Sequence, residues 1–196
     1  MIRYADLAPR NWRLAAAALA LAAAGPGVAL ARTAAPPPPA QQDRYALAGR
    51  VVHVADGDTF TLLAGGRRHR IRMASIDAPE VTKGSDRPGQ PMAQASRKAL
   101  AGLVAGKALR LECFERDQYG RDVCNVPLGD GRSANREQVA AGMAWANMEG
   151  RGRFMRDPQL PALEQQARRQ RLGLWRDPRS ERPWVWRYQC WKKRRC

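Results

Sequence analysis

Three short strand-like runs, separated by turns that contain glycine, restrict the possible folds of this chain more than any other feature of its sequence. The first run covers residues 46–55 and ends at an Asp-Gly-Asp turn. The second covers residues 59–63, and the two glycines that follow shortly after it favour a hairpin connection. The third covers residues 67–76 and alternates basic with other side chains, which is the period of a strand. The folded part of the chain is therefore predicted to begin with three strands.

The rest of the folded region mixes helices with two more strands. Apolar residues at helical spacing, glycine stops and a Pro near a helix start mark the helices. The predicted elements are helices at residues 92–106, 133–143 and 157–173 and strands at residues 107–114 and 121–128. Three strands, a helix, two strands and further helices follow the order of a five-stranded OB-fold barrel. We therefore predict a β-rich α+β domain at residues 46–178, with about three helices.

The amino-terminal residues are predicted to lie outside this domain. Three arginines precede an apolar run at residues 14–24 that is too short to span a bilayer comfortably, and a small-residue cleavage site follows. We predict a signal peptide at residues 1–31 and a proline-rich linker at residues 32–45, the alternative to cleavage being a retained anchor. The mature protein is then expected to be secreted or periplasmic.

Export would place the four cysteines in an oxidising compartment, where an even number favours disulfides. Cys113 and Cys124 lie on two predicted strands joined by a short turn, so a cross-strand bridge between them is expected. The alternative is that both are small buried side chains. Cys190 and Cys196 are expected to pair with each other near the end of the chain.

The charge of the chain favours an anionic partner. Its 34 lysines and arginines exceed its 18 acidic residues and give a formal net charge of +16 at pH 7. Nucleic acid, anionic lipid or an acidic polymer would suit such a charge. The tail at residues 179–196 places tryptophans between basic residues, a pattern in which rings stack on bases and cations pair with phosphates. We expect Trp184 and Trp186 to contact substrate, the alternative being that the tryptophans pack on the barrel.

The Asp-Gly-Asp turn has two possible interpretations, a tight turn or half of a cation site. Further motifs occur in a fixed order along residues 47–178. They are DGDT at 56–59, RMASIDAPE at 72–80, DQYGR at 117–121, GMAWA at 142–146 and LGLW at 172–175. Together these motifs resemble the staphylococcal nuclease (thermonuclease) family. The resemblance implies a calcium-dependent endonuclease, a hydrolase that cleaves the phosphodiester bonds of DNA and/or RNA by metal-assisted attack of water.

The resemblance also implies a Ca²⁺ site made of oxygen ligands, which a hard cation prefers. Asp58 and Asp77 match the calcium-binding carboxylates of the family, and the backbone carbonyl of Ala78 would be a further ligand. Asp56 would lie directly behind these ligands. The family usually has threonine at the position of Ala78, a change that leaves a carbonyl ligand available.

Four other residues match positions with a role in cleavage. Glu80 matches the glutamate usually assigned as the general base, and Arg72 and Arg121 match two catalytic arginines. Tyr119 matches a tyrosine beside the nucleotide phosphate. A divalent cation and two arginines would neutralise the charge that gathers on the phosphate oxygens during attack.

Two other functions stay open on the sequence alone. A nucleic-acid-binding OB domain without turnover would need the basic residues but not the clustered carboxylates. A basic protein of the cell envelope would use the tail on anionic lipid or polymer. We expect a monomer in each case.

Overall fold

The computed structural model describes residues 44–196. The predicted signal peptide, and the predicted linker up to residue 43, therefore lie outside the described residues. Within the described part, no helix has the length and apolar character needed to cross a membrane.

Five strands close into a barrel that forms the body of the structure. The strands are β1 (Tyr45–Val54), β2 (Thr59–Ala64), β3 (Arg67–Met73), β5 (Ala108–Arg116) and β6 (Asp122–Asn125), and a separate two-stranded sheet contains β4 (Ile76–Asp77) and β7 (Trp145–Ala146). The order around the barrel is β1-β2-β3-β6-β5. All neighbours are antiparallel except β3 and β6, which run parallel. The predicted five-stranded barrel is confirmed.

The alternation seen in the sequence of β3 divides its side chains between the core and the solvent. Ile71 and Met73 are buried, whereas Arg68 and Arg70 are exposed. Phe60 and Leu62 of β2 are buried in the same core. Residues two apart therefore fill the barrel interior, as a pleated strand requires.

The third predicted strand is broken at its end. It was expected to continue to residue 76, but β3 stops at Met73 and β4 starts at Ile76. Between them, Ser75 has a φ of 65°, in the left-handed region. Its hydroxyl accepts a hydrogen bond from the backbone of Arg156 at 2.7 Å, which ties this unusual conformation to a distant segment. The break turns the chain out of the barrel and carries Asp77 into the smaller sheet.

The three predicted helices are present, and two short ones add to them. The helices are α1 (Ala93–Val104), α2 (Ala134–Ala140), α3 (Glu149–Gly152), α4 (Leu160–Arg169) and α5 (Pro183–Trp186), with a 3₁₀ turn at Gly173–Arg176 and a π-helical turn at Arg187–Lys192. The expected number of about three was therefore too low. Both additional helices have only four residues, and so short a segment cannot show the apolar period of a helix.

Two glycines from the GMAWA and LGLW motifs allow two backbone segments to meet. A Cβ atom on Gly142 would lie 2.4 Å from the carbonyl oxygen of Leu172, and one on Gly173 would lie 2.3 Å from the carbonyl oxygen of Gly142. Both glycines have positive φ angles, 68° and 49°. Next to this contact, the rings of Trp145 and Trp175 pack edge to face with centroids 5.3 Å apart. The contact anchors β7, which pairs with the strand that contains Asp77.

Both expected disulfides are present. Cys113 and Cys124 are directly opposite each other in the pairing of β5 with β6 and are bonded. Cys190 and Cys196 are bonded within the tail. No cysteine among residues 44–196 is free.

Candidate active site

The Asp-Gly-Asp turn joins β1 to β2, and its two aspartates have different tasks. Asp56 Oδ1 accepts a hydrogen bond from the backbone N–H of Asp58 at 3.0 Å, which is the local contact of a turn aspartate. Asp58 reaches further, because its Oδ2 accepts the backbone N–H of Ala78 at 2.6 Å. Thr59 donates to the other oxygen of Asp58 at 2.9 Å. Asp58 therefore joins the turn to the IDAPE segment.

Gly57 lets the turn approach that segment closely. A Cβ atom at this position would lie 1.8 Å from Ser96 Oγ and 2.7 Å from the Cβ of Ala78. The carbonyl of Gly57 also accepts a hydrogen bond at 2.7 Å from the buried side chain of Gln138. Helices α1 and α2 thus hold the turn against the IDAPE segment, and only glycine fits between them.

Arg72 lies between the two aspartates that were predicted to bind the cation. Its Nη1 forms an ion pair with Asp58, and its Nη2 donates to Asp77 Oδ1 at 2.7 Å. Asp77 is almost completely buried, and the side chain of Arg72 is only 13% exposed. One guanidinium group therefore links carboxylates from the β1–β2 turn and from β4.

The pKa values reflect this concentration of buried charge. Burial raises the pKa of Asp56, and the neighbouring Asp58 raises it further, to about 7. For Asp58 the effect of burial is outweighed by Arg72 and by the hydrogen bond from Ala78, which together lower its pKa below the usual value. The surroundings of Asp58 therefore favour its charged form, whereas burial and the neighbouring Asp58 disfavour the charged form of Asp56.

Glu80 lies just beyond Pro79 at the start of the loop between β4 and α1. Its Oε2 accepts a hydrogen bond from Lys83 at 2.7 Å. Its backbone N–H donates to Gln90 Oε1 at 3.1 Å, and the Gln90 N–H returns a bond to the Glu80 carbonyl at 2.8 Å. These bonds close the loop on itself and fix the backbone on both sides of the carboxylate.

The structure adds one residue to this site that the sequence did not point to. Arg187, from the carboxy-terminal tail, donates to Asp77 at 3.2 and 2.9 Å and to Glu80 Oε1 at 2.8 Å. The tail contains several basic residues at irregular spacing, and no signal in the sequence distinguishes Arg187 from the others. Only the folding of the tail brings it to the carboxylates.

Arg121 and Tyr119 lie on the turn between β5 and β6, and their side-chain contacts are within that turn. Arg121 binds Asp117 through Nε at 2.8 Å and Nη2 at 2.7 Å. Its guanidinium group also lies over the ring of Tyr119, 5.4 Å from the centroid. Tyr119 is 68% exposed. The structure thus brings Asp58, Asp77, Arg72 and Glu80 together, while Arg121 and Tyr119 form a separate cluster held by local contacts.

The two tail tryptophans that were expected to contact substrate make contacts within the protein. Trp184 packs against the cluster that contains Trp145 and Trp175. Trp186 donates from its indole nitrogen to the carbonyl of Pro88 at 3.1 Å. A role of either ring in substrate binding stays a prediction.

The donors around Arg72 suit a hard divalent cation. Asp58 and Asp77 present carboxylate oxygens to one shared positive group, which shows that this position attracts cationic charge. Within residues 44–196, no three Asp, Glu, His or Cys side chains are arranged to hold a metal ion by themselves. A cation at this position would therefore need backbone oxygen or water in addition to the two aspartates.

Comparisons with known proteins identify the family of this chain. Residues 70–177 match the family described as staphylococcal nuclease homologue. This chain belongs to that family. The predictions of the family and of a nuclease, which is a phosphodiesterase, are confirmed.

Several relatives cover most of the folded region. A protein of Escherichia coli O157:H7 named uncharacterized endonuclease is 39% identical over 141 residues, which are 72% of this chain and 85% of that protein. The micrococcal nuclease of Shigella flexneri is 38% identical over 148 residues, covering 71% of this chain and 79% of its own length. Protein ParB of Escherichia coli is 37% identical over 150 residues, with 72% and 79% covered.

Proposed function

We propose that this nuclease is exported, depends on calcium and hydrolyses the phosphodiester bonds of DNA and/or RNA. One observation carries the proposal, namely the buried position where Arg72 forms ion pairs with both Asp58 and Asp77. Glu80 belongs to the same group, because Arg187 donates hydrogen bonds to both Glu80 and Asp77. A protein that only bound nucleic acid would have no use for buried carboxylates, which repel phosphate. The two disulfides are consistent with a location outside the cytoplasm.

The cation would be held by Asp58, Asp77 and the backbone carbonyl of Ala78. Asp56 supports the turn behind them through its bond to the Asp58 N–H. When bound, Ca²⁺ would supply positive charge that stabilises the phosphate oxygens in the transition state. The alanine at position 78, where the family usually has threonine, does not affect these three oxygen donors.

Arg72 and Glu80 would act on the substrate from the same side of the barrel. A guanidinium group offers a planar pair of donors, so Arg72 can bind two oxygens of a phosphate in place of its two carboxylates. Glu80 can accept a proton from an attacking water, because one oxygen of its carboxylate is bound by an exposed lysine that water can displace. These two roles place positive charge on the phosphate and a base beside the water.

Arg121 and Tyr119 would contact the nucleotide from the β5–β6 turn. Both side chains are accessible, and Arg121 is held only by Asp117 and by the ring of Tyr119. A phosphate could replace Asp117 as the partner of Arg121 without disturbing the barrel. Trp184 and Trp186 stay as further candidates for substrate contact.

The direct test is digestion of plasmid DNA, single-stranded DNA and RNA by the purified protein with calcium and with a calcium chelator. We expect cleavage with calcium and none with the chelator, and restoration when calcium is added back. Equal cleavage with magnesium alone would contradict calcium dependence. Cell fractionation and light scattering of the purified chain would test the export and the expected monomer.

A further inference from the structure

The carboxy-terminal tail is folded onto the loop that carries Glu80. Residues 181–196 lie beyond the part of the chain that matches the family, which ends at residue 177. Besides the contact of Arg187 with Glu80, four hydrogen bonds connect them to the loop: Gln90 Nε2 to the Glu181 carbonyl at 2.8 Å, Trp186 Nε1 and Trp191 Nε1 to the Pro88 carbonyl at 3.1 and 2.9 Å, and Arg194 Nη1 to the Asp86 carbonyl at 3.0 Å. The tail is therefore bound to this loop, mainly through the backbone carbonyls of the loop.

The tail is also stabilised from within. Helix α5 starts at the buried Pro183 and leads directly into the π-helical turn that contains Arg187. Cys190 is buried and bonded to Cys196, which closes the last residues into a small loop. Lys83, on the Glu80 loop, lies 5.2 Å from the centroid of the Trp191 ring. These contacts fix the backbone from which the Arg187 side chain extends. Arg187 lies about 100 residues away in sequence from the carboxylates that it binds.

Arg187 bridges two carboxylates that the proposed mechanism uses for different purposes. Its Nη1 donates to both Glu80 Oε1 and Asp77 Oδ1, at 2.8 and 3.2 Å, and its Nη2 donates to Asp77 Oδ2 at 2.9 Å. Charge-assisted, forked contacts of this kind are strong and directional. They fix the position of Glu80 Oε1 relative to Asp77, while Lys83 binds the other oxygen of Glu80.

We propose that Arg187 is a positioning residue of the active site, which orients Glu80 for catalysis, and that the folded tail holds it in place. This proposal rests on the proposed function of Glu80 as the base. The tail would then complete the site rather than extend the substrate-binding surface.

The contacts also distinguish the two oxygens of Glu80. Oε1 is bound by Arg187, whose side chain is 32% exposed and tied to the folded tail. Oε2 is bound by Lys83, whose side chain is 44% exposed and belongs to the loop surface. Water or substrate can displace the lysine more easily than the arginine. Oε2 is therefore the oxygen that accepts the proton, while Oε1 stays bound to Arg187.

The test compares Arg187→Ala with the intact protein in two measurements. We expect kcat to fall by about tenfold or more while KM changes little, because the base loses its orientation. Calcium binding without substrate, measured by calorimetry, should be as tight as in the intact protein or tighter, because a positive charge next to Asp77 is gone. Millimolar guanidinium should restore part of the activity of Arg187→Ala, and Arg187→Lys should be intermediate.

Arg195→Ala is the matched control, because it removes an exposed tail charge whose side chain forms no hydrogen bond or ion pair within the described residues. It should leave both measurements unchanged. If Arg187→Ala raised both kcat and calcium affinity, Arg187 would be a plug that competes with the cation. If it lowered both, its role would be structural only. Either result would overturn the proposal.

A measurement that needs no activity separates this proposal from the function on which it rests. Trp186→Phe with Trp191→Phe removes both indole donors to Pro88 while keeping aromatic rings. We expect faster amide hydrogen exchange at Gln90, whose N–H binds the Glu80 carbonyl. If the intact protein cleaves no nucleic acid, the proposed function fails. If exchange is unchanged, the tail does not hold the loop and this proposal fails.

Discussion

Arg72 and Arg121 are both predicted from the sequence to be catalytic, but the structure gives them different surroundings. Arg72 is 13% exposed and pairs with Asp58 and Asp77, which come from different strand ends. Arg121 is 22% exposed and pairs with Asp117, four residues earlier in the same turn. The first arginine is thus held by tertiary structure and the second by local structure.

This difference follows from where each arginine lies on the barrel. Arg72 is at the end of β3, next to the break that sends the chain into β4, so several buried elements converge on it. Arg121 ends a turn between two strands, with solvent on its outer side. The core half of the proposed site, which consists of Asp58, Asp77, Arg72 and Glu80, is consequently built into buried structure. The other half, Arg121 and Tyr119, would be able to adapt to substrate without cost to the core.

The largest effect is expected from the core half. Asp77→Ala or Asp58→Ala removes a charged oxygen from the proposed cation site, so calcium-dependent cleavage should be lost while the fold is retained. Activity assays over a calcium titration, with circular dichroism for the fold, would measure this. Glu112→Gln, on the exposed face of β5, is the control for loss of an acidic residue. Full activity of either aspartate variant at limiting calcium would contradict the assignment.

The two arginines should then differ in what they affect besides turnover. Arg72→Lys and Arg121→Lys keep the charge but lose the forked donor, so turnover should fall at least about tenfold, or roughly 1.4 kcal/mol of transition-state stabilisation. Of the two, only Arg72→Lys should also change calcium affinity, because Arg72 contacts Asp58 and Asp77 whereas Arg121 contacts Asp117.

Arg110→Lys, on the exposed face of β5, is the control for this pair. Near-normal turnover in both variants would show that neither arginine contacts the transition state. Equal changes in calcium affinity would show that the two halves of the site are not independent.

Much of the core half could be predicted from sequence, because its parts lie in short continuous motifs. Asp58, Asp77 and Glu80 fall in DGDT and IDAPE, and the strand periods around them predict the barrel. What joins these motifs is tertiary and leaves no pattern. The contact of Gly57 with Ser96 and the break at Ser75 depend on elements distant in the chain.

The tail shows the limit of such reasoning more clearly. Its composition suits substrate binding and packing equally, because both use tryptophan and arginine. The choice between them depends on which backbone acceptors are free nearby, and here the Pro88 carbonyl accepts from two indoles. Arg187 could not be found from spacing, since its partners lie about 100 residues earlier in the chain.

A smaller effect is expected from the disulfide that braces the β5–β6 turn. Replacing Cys113 and Cys124 by serine removes a bridge with a sequence separation of 11, which should lower the free energy of unfolding by about 2–3 kcal/mol. Because the bridge links the two strands that hold the turn of Arg121, whereas Asp58 and Asp77 are held by Arg72 and Arg187, turnover should suffer more than calcium affinity. Denaturant unfolding and calcium calorimetry would measure both. A loss of calcium affinity as large as the loss of turnover would contradict the separation of the two halves.

The smallest effect concerns the local pair itself. Although burial alone would raise it, the pKa of Asp117 is held below its usual value by the N–H of Arg121 and by its guanidinium group. A carboxyl whose pKa is lower in the folded state stabilises the protein above its usual pKa of about 4, and this contribution is lost as the pH falls toward the folded value. Water screens the partly exposed pair, so the contribution should be only a few tenths of a kcal/mol.

Unfolding curves measured between about pH 5 and pH 2.5 should therefore show a slightly smaller loss of stability in Asp117→Asn than in the intact protein. Its calcium affinity at neutral pH should be unchanged, since Asp117 has no contact with Asp58 or Asp77 in the described structure. A change in calcium affinity would show that the turn and the core carboxylates are coupled, and Arg121 would then belong to the same unit as Arg72.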